Sequence, residues 1–246
     1  MRLDLYLLEY HMVKSRSQAT DLIKRGLITV NDVVMTKPGY VILDQNIKIT
    51  EEPKFVSRAG EKLLQAIFDF NIDLNGKTVI DIGSSTGGFT DCALQHGAKQ
   101  VYAYDVGKEQ MVEPLKSDSR VFLFEETNIL DVSIPEADVI LIDVSFTSIQ
   151  PILKHLKGFS GTIIALIKPQ FEAGNIHFKQ GVLKDMKIHK KILNDVLLEA
   201  VNLGFSLFGL KKSLLKGKAG NQEYILYMGQ NNELVDIKKI VEDVLC

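Results

Sequence analysis

The sequence predicts an α/β protein in which an open, doubly wound sheet follows a small, separate α+β module. Short apolar runs that alternate with helical stripes after residue 77 predict the sheet. A glycine-rich turn follows the first of these runs, at the edge where such sheets bind ligands. Two acidic residues and a proline at positions 51–53 interrupt the helix and strand pattern of the first module, before the sheet begins. We therefore expect one domain at residues 1–50, a linker at 51–60 and a second domain at 61–246.

The composition of the 246 residues is that of a globular protein, with 46% hydrophobic and 24% charged residues. A net charge of −2 does not by itself indicate a nucleic-acid partner. The two cysteines, Cys92 and Cys246, are too few for a metal knuckle and are typical of a reducing compartment. No apolar stretch approaches the roughly 18 residues of a membrane span, and no signal-peptide core follows the first residues. We expect a cytoplasmic protein with no metal and no membrane association, and the oligomeric state stays open.

Two helices followed by short strands are predicted for the first module. Leu3, Leu7 and Leu8 share one helical face. Ser15 has the position of an N-cap for a second helix, which ends at residues 25–26. Segments 27–32 and 41–49 alternate like strands joined by turns.

The two-helix unit carries a group of basic residues: Lys14, Arg16, Lys24 and Arg25. Charge alone does not distinguish a nucleic-acid-binding surface from an ordinary solvated helix face. The surrounding pattern, however, resembles the small RNA-binding domain named after ribosomal protein S4, through residues 2–4, 15–19, 23–26 and 30–31. This resemblance covers residues 1–50 and implies a basic face that recognises the shape and phosphates of structured RNA. The RNA-binding residues that we expect are Arg2, Lys14, Arg16, Lys24, Arg25 and, beyond the module, Arg58.

The glycine-rich turn indicates the kind of ligand that the second domain binds. Val79–Ile82 is predicted as a buried strand, and three glycines follow it before a helical pattern. A dinucleotide site needs G-x-G-x-x-G, whereas this turn has the spacing D-x-G-x-x-x-G-G, beginning at Asp81. A carboxylate there would repel a pyrophosphate but suits a cationic ligand that carries an amine, such as S-adenosylmethionine. The spacing therefore disfavours an NAD-type oxidoreductase.

A second acid supports this interpretation of the turn. Residues 101–105 are predicted as the next strand, and they end in Asp105, about 20 residues on, where a ribose-binding carboxylate is expected. The alternative is an ordinary strand–turn–helix with a surface acid. From the turn and the second strand, the expected cofactor-binding residues are Asp81, Gly83, Ser84, Ser85, Gly87, Gly88 and Asp105.

The later strands bring charged residues to the same edge of the sheet. Apolar runs predict strands at residues 121–124, 137–142, 162–167, 205–210 and 222–228. Asp143 and Lys168 each end one of these runs, where an unpaired charge would be costly. We expect the two to pair across the crevice at the carboxyl ends of the strands. The alternative is a salt bridge without chemistry at the sheet edge.

The residues around this pair limit the chemistry of a methyl acceptor. The turn at residues 143–146 lacks the two prolines of the Asn/Asp-Pro-Pro-aromatic motif that accompanies methylation of base amino groups. Methylation at carbon five of a pyrimidine needs a cysteine nucleophile, and neither Cys92 nor Cys246 is suitably positioned. A sugar hydroxyl needs only alignment, loss of a proton and stabilisation of the developing alkoxide, which lysines and carboxylates can supply.

Five motifs, in order along nearly the whole chain, resemble the TlyA (haemolysin A-like) family: residues 56–63, 81–90, 143–146, 168–172 and 220–223. That family consists of ribosomal-RNA 2′-O-methyltransferases with an S4-type domain and an FtsJ-type catalytic domain. The resemblance implies a Rossmann-like, S-adenosylmethionine-dependent methyltransferase sheet behind a small RNA-binding domain. It also implies a catalytic tetrad of Lys62, Asp143, Lys168 and Glu223, in which Lys168 takes or polarises the hydroxyl proton and Asp143 holds it. Asn128 or, alternatively, Asp131 is implied as an adenine contact.

The resemblance further implies that the partner is ribosomal RNA or a ribosomal subunit and that the acceptor is a cytidine ribose. Lysines in the later part of the chain favour phosphate contacts: Lys179, Lys184, Lys187, Lys190, Lys191, Lys211, Lys212, Lys216 and Lys218. Because the chain begins directly at the RNA-binding module, we expect the large subunit to be the target. A haemolysin-type membrane-active protein and a catalytically silent RNA-binding protein are the alternatives.

Overall fold

The computed structural model of the protein describes residues 1–13, 15–43, 46–51, 53–174, 181–230 and 236–246. These residues form two compact units, Met1–Lys54 and Phe55–Cys246. Residues 55–60, which the sequence analysis assigned to the linker, belong to the second unit. Phe55 is buried in the core of that unit, which explains why the chain is already ordered there.

The first unit packs two helices and a small sheet around one core. Its helices are α1 (Leu3–Glu9) and α2 (Arg16–Lys24), and its antiparallel strands are β1 (Ile28–Val30), β2 (Val33–Val34) and β3 (Ile47–Ile49). Ser15 caps α2 as expected, because its hydroxyl accepts a hydrogen bond from the backbone N–H of Gln18 at 3.1 Å. Leu3, Leu7 and Ile23 are fully buried in the core between the helices and strands.

The strands of this unit differ in part from the prediction. Among the described residues of segment 41–49, Ile47–Ile49 forms a strand and Val41 forms an isolated bridge with Arg2. The sequence analysis missed β2, which pairs with β1 through a two-residue turn at residues 31–32. Both turn residues, an asparagine and an aspartate, have positive φ, which is the conformation that tight hairpins between twisted strands require.

Asp4 is a buried acid that organises the surface of this unit. It is 1% exposed, and its carboxylate accepts two hydrogen bonds from Arg2, at 2.9 and 3.0 Å, and one from Arg16 at 2.8 Å. The hydrogen bond from Arg2 is the main reason why the pKa of Asp4 falls to about 2. These ion pairs fix the positions of both arginine side chains. About half of each side chain nevertheless remains exposed to solvent.

Within the described residues, the second unit is built on a seven-stranded sheet in the order β6-β5-β4-β7-β8-β10-β9. The strands are β4 (Thr78–Ile82), β5 (Gln100–Tyr104), β6 (Val121–Phe124), β7 (Val139–Ile142), β8 (Thr162–Ile167), β9 (Ser206–Lys212) and β10 (Tyr224–Gly229). β4 to β8 are parallel, and β10 is antiparallel to both of its neighbours. The predicted fold class, a Rossmann-like sheet behind a small α+β domain, is therefore confirmed.

Helices cover both faces of the sheet because its central strands are apolar on both sides. Successive residues alternate between the two cores: Ile140 packs on one face, and Leu141 on the other. One face is covered by α3 (Arg58–Phe70), α4 (Gly88–Gln95) and α5 (Glu113–Lys116), and the other by α6 (Gln150–His155), α8 (Met186–Asn202) and α9 (Ile237–Leu245). A short helix, α7 (Pro169–Glu172), follows β8 directly. None of the helices among the described residues is long and apolar enough to cross a membrane.

Replacing Asp4 by Asn should destabilise the first unit by about 2 kcal/mol, because two arginines lose a buried charged acceptor. Hydrogen exchange of the backbone amides in residues 1–43 of the full chain would measure the loss. In the wild type, the depressed pKa of Asp4 stabilises the fold above pH 4, and this contribution disappears as the pH falls through about 2.

Asp32→Asn is the matched control, because Asp32 forms a 2.7 Å ion pair with Lys48 in which both side chains are more than half exposed. We expect a loss below about 1 kcal/mol for this variant. Equal effects of the two substitutions would contradict the role assigned to Asp4.

Candidate active site

A cavity of about 140 Å³ lies at the carboxyl ends of β4, β7 and β8. This is the edge at which open α/β sheets bind their ligands. The residues that line the cavity come from the turn after β4, from the ends of β7 and β8 and from the segment before α3; they include Ala59, Gly83, Ser84, Asp143, Ser145 and Lys168. Residues from four separate motifs of the sequence thus meet around one small space.

The turn between β4 and α4 requires glycine at two positions. Gly83 has φ +85°, and a Cβ at this position would lie 3.1 Å from the carbonyl oxygen of Asp143. Gly87 has φ +94° and is the N-cap of α4, where a Cβ would collide with Leu115. The hydroxyl of Ser84 is buried in the turn and has no hydrogen-bond partner among the described residues. The turn therefore presents a buried polar atom that a ligand could satisfy.

Asp105, immediately after β5, fixes this turn from the neighbouring strand. Its Oδ2 accepts a hydrogen bond from the backbone N–H of Ser85 at 2.8 Å, and its Oδ1 accepts one from Gly107 at 2.7 Å. Ser85 has φ +46°, and this hydrogen bond helps to hold the strained backbone. Asp105 is only half-buried, so its carboxylate also has an open side. A contact with a ribose at Asp105 stays a prediction that this geometry permits.

Asp81, near the end of β4, differs from the other predicted ligand residues because it is fully buried. Its Oδ2 accepts hydrogen bonds from the backbone N–H of Thr90 at 3.0 Å and from the Thr90 hydroxyl at 2.7 Å, which anchors the first turn of α4. Its Oδ1 has no hydrogen-bond partner among the described residues. Burial, followed by the nearby charge of Asp143, raises the pKa of Asp81 to about 7. One oxygen thus has a structural role, and the other is a buried acceptor without a partner among the described residues.

The expected pair of Lys168 and Asp143 is present in the structure. Lys168 Nζ lies 2.6 Å from Asp143 Oδ1 and donates hydrogen bonds to the Asp143 carbonyl oxygen at 3.3 Å and to Ser145 Oγ at 2.9 Å. The lysine side chain is 8% exposed. Because three oxygens surround the amine, it is held at one point on the wall of the cavity.

Lys62 and Glu223 form a second buried ion pair. Lys62 Nζ, on α3, lies 2.5 Å from Glu223 Oε2, which immediately precedes β10, and both side chains are almost fully buried. The other carboxylate oxygen, Oε1, accepts a hydrogen bond from Gln170 Nε2 at 3.2 Å. A buried carboxylate with one charged and one neutral donor is well satisfied.

The register of the sheet makes the two ion pairs neighbours. β10 pairs with β8 so that Tyr224 lies opposite Ile167. Glu223 and Lys168, the adjacent residues in the chain, consequently extend from the same end of these paired strands. Gln170, two residues after Lys168, bridges to Glu223. The four charged residues that the sequence analysis grouped together therefore form two buried ion pairs, and one member of each lies at the same end of the paired strands β8 and β10.

The remaining predicted contacts have more ordinary surroundings. Asn128 caps a short 3₁₀ turn, Ile129–Asp131, by accepting a hydrogen bond from Leu130 N–H at 3.1 Å, and an adenine contact there stays a prediction. Arg58 starts α3 and donates to the Lys216 carbonyl oxygen at 3.3 Å.

The basic residues expected to bind RNA are only partly available. Arg2 and Arg16 form ion pairs with Asp4. Arg25 Nη1 lies 3.6 Å from Asp21 Oδ2, and Lys24 is exposed on α2. Lys14 lies outside the described residues.

Not all the lysines expected to contact phosphate are unpaired. On α8, Lys190 pairs with Glu242 and Lys191 pairs with Asp195, at 2.9 and 2.8 Å. Lys184, Lys187, Lys211, Lys216 and Lys218 are exposed, and Lys179 lies outside the described residues. Lys212 donates to the Leu245 carbonyl oxygen at 3.3 Å.

Comparison with known proteins agrees with this architecture. Residues 55–230 match the FtsJ-like methyltransferase family, and residues 1–45 match the S4 domain. Hemolysin A from Brachyspira hyodysenteriae is 43% identical over 92% of this chain and 99% of that protein. The chain belongs to the TlyA (haemolysin A-like) family.

Two further TlyA-family relatives extend the comparison over nearly the full length. The Mycobacterium tuberculosis protein named 16S/23S rRNA (cytidine-2′-O)-methyltransferase TlyA is 34% identical over 99% of this chain and 95% of that protein. A solved structure from Streptococcus thermophilus, provisionally named a hemolysin, is 37% identical with a TM-score of 0.76; the match covers 99% of this chain and 95% of that one.

Two residues of the TlyA-family motifs were not singled out from the sequence, although they lie beside the ion pairs. Ser145 and Gln170 each make a hydrogen bond to one member of the tetrad. Their positions within the motifs at 143–146 and 168–172 were the available signal. Phe146 is also notable: it is 91% exposed, has φ +64° and contacts Phe171 with ring centroids 5.1 Å apart.

If the free oxygen of Asp81 contacts a cationic ligand, ligand affinity should increase as the pH rises towards 7 and level off above it. The ligand favours the ionised carboxylate, whereas burial favours the protonated form, so binding must release a proton below pH 7. Calorimetry with S-adenosylmethionine between pH 5.5 and 8.5 would measure this dependence.

Asp81→Asn should remove the pH dependence and weaken binding about tenfold, equivalent to ~1.4 kcal/mol. The variant could instead lose thermal stability while it keeps both the wild-type affinity and its pH dependence. That result would show that Asp81 anchors α4 and does not contact the ligand.

Proposed function

We propose that this protein transfers a methyl group from S-adenosylmethionine to the 2′-hydroxyl of a cytidine ribose in ribosomal RNA, with the large subunit as the expected target. The observation that carries the proposal is the pair of buried ion pairs, Lys168–Asp143 at the cavity of the glycine turn and Lys62–Glu223 at the adjoining strand end. It is supported by the TlyA relative named as a 16S/23S rRNA (cytidine-2′-O)-methyltransferase. The large-subunit preference is tested below by methylation mapping.

The residues around the cavity fit the proposed methyl donor. Positive φ at Gly83 and Gly87 lets the backbone approach a ligand without a Cβ, and the unpartnered Ser84 hydroxyl and Asp81 Oδ1 can hydrogen-bond to an amino acid end. Asp105, with an open side, suits a ribose. When bound, the donor supplies an electrophilic methyl group on a sulfonium. Because 140 Å³ is below the usual size of a complete cofactor pocket, the rest of the donor would lie along the open strand ends.

Lys168 is the residue best placed to act on the acceptor hydroxyl. In the reaction, a bond forms between the ribose oxygen and the methyl carbon, the bond from that carbon to sulfur breaks, and the hydroxyl proton leaves. The Lys168 ammonium can orient the hydroxyl and stabilise the charge that develops on oxygen, and its neutral amine can accept the proton. Asp143 and Ser145 keep the amine in place.

Glu223 and Lys62 have a supporting electrostatic role in this scheme. Each is buried, so neither charge would be tolerated without the other. Their pair keeps a fixed charge distribution next to Lys168, which needs no reorganisation when the reaction begins.

The exposed Phe146 supports an RNA acceptor. It lies three residues after Asp143, and 91% of its surface is open to solvent. A phenylalanine held in this position at the cost of a positive φ is suited to stack on a base that has left its helix. An aromatic platform next to the reactive lysine would hold a nucleotide with its ribose towards the cavity.

Lys168→Met should reduce methyl transfer to ribosomal RNA at least 100-fold while the dissociation constants for S-adenosylmethionine and RNA change less than about threefold. Transfer of a radiolabelled methyl group, together with calorimetry, would measure both. Lys154→Met is the control, because Lys154 is largely exposed and pairs with Glu199, away from the residues predicted to bind the donor or the RNA. Full activity of Lys168→Met would refute the role proposed for Lys168.

Phe146→Ala should reduce methyl transfer about tenfold or more, in line with the loss of one base-stacking contact of 1–3 kcal/mol. Binding of the methyl donor should be unchanged, and Phe146→Tyr should retain most of the activity. The exposed Phe68 of α3 provides a control substitution that removes an aromatic ring elsewhere.

Mapping of ribose methylation in ribosomal RNA from cells with and without this protein would test the substrate directly. The proposal predicts a cytidine 2′-O-methyl group in large-subunit RNA that disappears with the protein. A methyl group lost only from small-subunit RNA would correct the target, and an unchanged map would reject the proposed function.

A further inference from the structure

Glu223 is enclosed on three sides, and one of its neighbours is an uncharged residue that the proposed mechanism does not use. Lys62 binds Oε2, the Gln170 amide donates to Oε1 at 3.2 Å, and the backbone at Gly217 comes so close that a Cβ there would collide with Oε1. The carboxylate is 3% exposed. Its orientation therefore depends on a small number of contacts, and Gln170 supplies one of them.

The carboxylate of Glu223 also determines which way the Gln170 amide points. An ionised carboxylate only accepts hydrogen bonds, so the NH₂ group of Gln170 must face it and the amide oxygen must face away. That oxygen is buried and has no hydrogen-bond partner among the described residues. An unsatisfied buried carbonyl is unfavourable for stability, and such groups are retained where they have a function.

Charged groups approach Gln170 and Glu223 from several elements. Lys62 belongs to α3, the Lys168–Asp143 pair lies at the ends of β8 and β7, and Arg58 lies one turn before Lys62 with its guanidinium on the Lys216 carbonyl. Gln170 is the uncharged member of this group: it follows Lys168 by two residues along the chain and donates a hydrogen bond to Glu223.

We propose that Gln170 is a positioning residue, which holds the Glu223 carboxylate towards Lys62 and keeps its amide oxygen for a hydrogen-bond donor that arrives with the RNA nucleotide. This inference rests on the proposed methyl transfer for its kinetic consequences. The contact with Glu223 does not depend on that function and can be measured without it.

Gln170→Met removes both hydrogen-bonding groups with little change of shape. We expect kcat to fall about tenfold or more, because Glu223 is no longer fixed, and KM for RNA to rise, because the acceptor oxygen is lost. Thermal stability should stay the same or increase, because an unsatisfied buried oxygen is removed. Parallel losses of stability and activity would show a merely structural role and overturn the proposal.

Gln170→Glu gives a second, independent readout through its pH profile. At high pH two carboxylates repel each other, whereas at lower pH a protonated Glu at position 170 can again donate to Glu223. The activity of the variant relative to the wild type should therefore rise about tenfold between pH 9 and pH 6. Gln95→Glu is the matched control, because the Gln95 amide also donates to a carboxylate, that of Asp91 at 2.9 Å, at an exposed site on α4. Equal pH profiles of the two variants would overturn the proposal.

NMR of protein carrying ¹³C-labelled glutamate separates this inference from the proposed function. In Gln170→Met the carboxyl resonance of Glu223 should move relative to the wild type at the same pH, because one hydrogen bond to Oε1 is lost. This result is expected whether or not the protein methylates RNA. An unchanged resonance would refute the positioning role even if methyl transfer were established.

Discussion

The ion pair between Lys62 and Glu223 is the contact on which the site depends. It joins a helix at the beginning of the second unit to the last strand of its sheet, across 161 positions of the chain. Removing two such charges from water is expensive, and the cost is offset only when both partners and their remaining hydrogen bonds are in place. The first helix, the sheet edge and the loop before β10 must therefore all be correctly packed before the site can form.

The same requirement explains the arrangement of the other acids at this edge. Asp81, Asp105 and Asp143 lie at the ends of neighbouring parallel strands, where their charges repel one another. The structure relieves this repulsion differently for each residue. Burial favours the protonated form of Asp81, backbone N–H groups bind Asp105, and Lys168 neutralises Asp143. Of these three acids, Asp81 keeps the higher pKa although Thr90 donates two hydrogen bonds to it, because its burial is complete.

Much of this arrangement could be predicted from the sequence. The strands of the large sheet were predicted because their apolar runs are long and end in glycine or charged residues, and the pairing of Lys168 with Asp143 followed from the rule that such strand ends meet. The hairpin at residues 31–32 was not predicted, because a strand of two exposed valines carries too little pattern. The linker boundary was also misjudged at Phe55, since burial of one aromatic ring depends on tertiary packing.

The sequence could not indicate how individual side chains divide their hydrogen bonds. Asp81 looked like a ligand residue, yet half of its carboxylate anchors α4 through Thr90. Arg2 and Arg16 looked like free cations, yet both are bound to Asp4. Gln170 carries no charge and was not predicted as a site residue, although its amide donates a hydrogen bond to Glu223. Each of these facts depends on contacts between residues that the periodicity of the chain does not relate.

The antiparallel direction of β10 has a consequence for how this architecture can diversify. Asp143 and Lys168 follow their strands, but Glu223 precedes its strand, so the connection between β9 and β10 emerges at the edge that holds the cavity rather than at the opposite one. Length changes within residues 213–222 would therefore remodel this edge without lengthening or shortening any of the parallel strands.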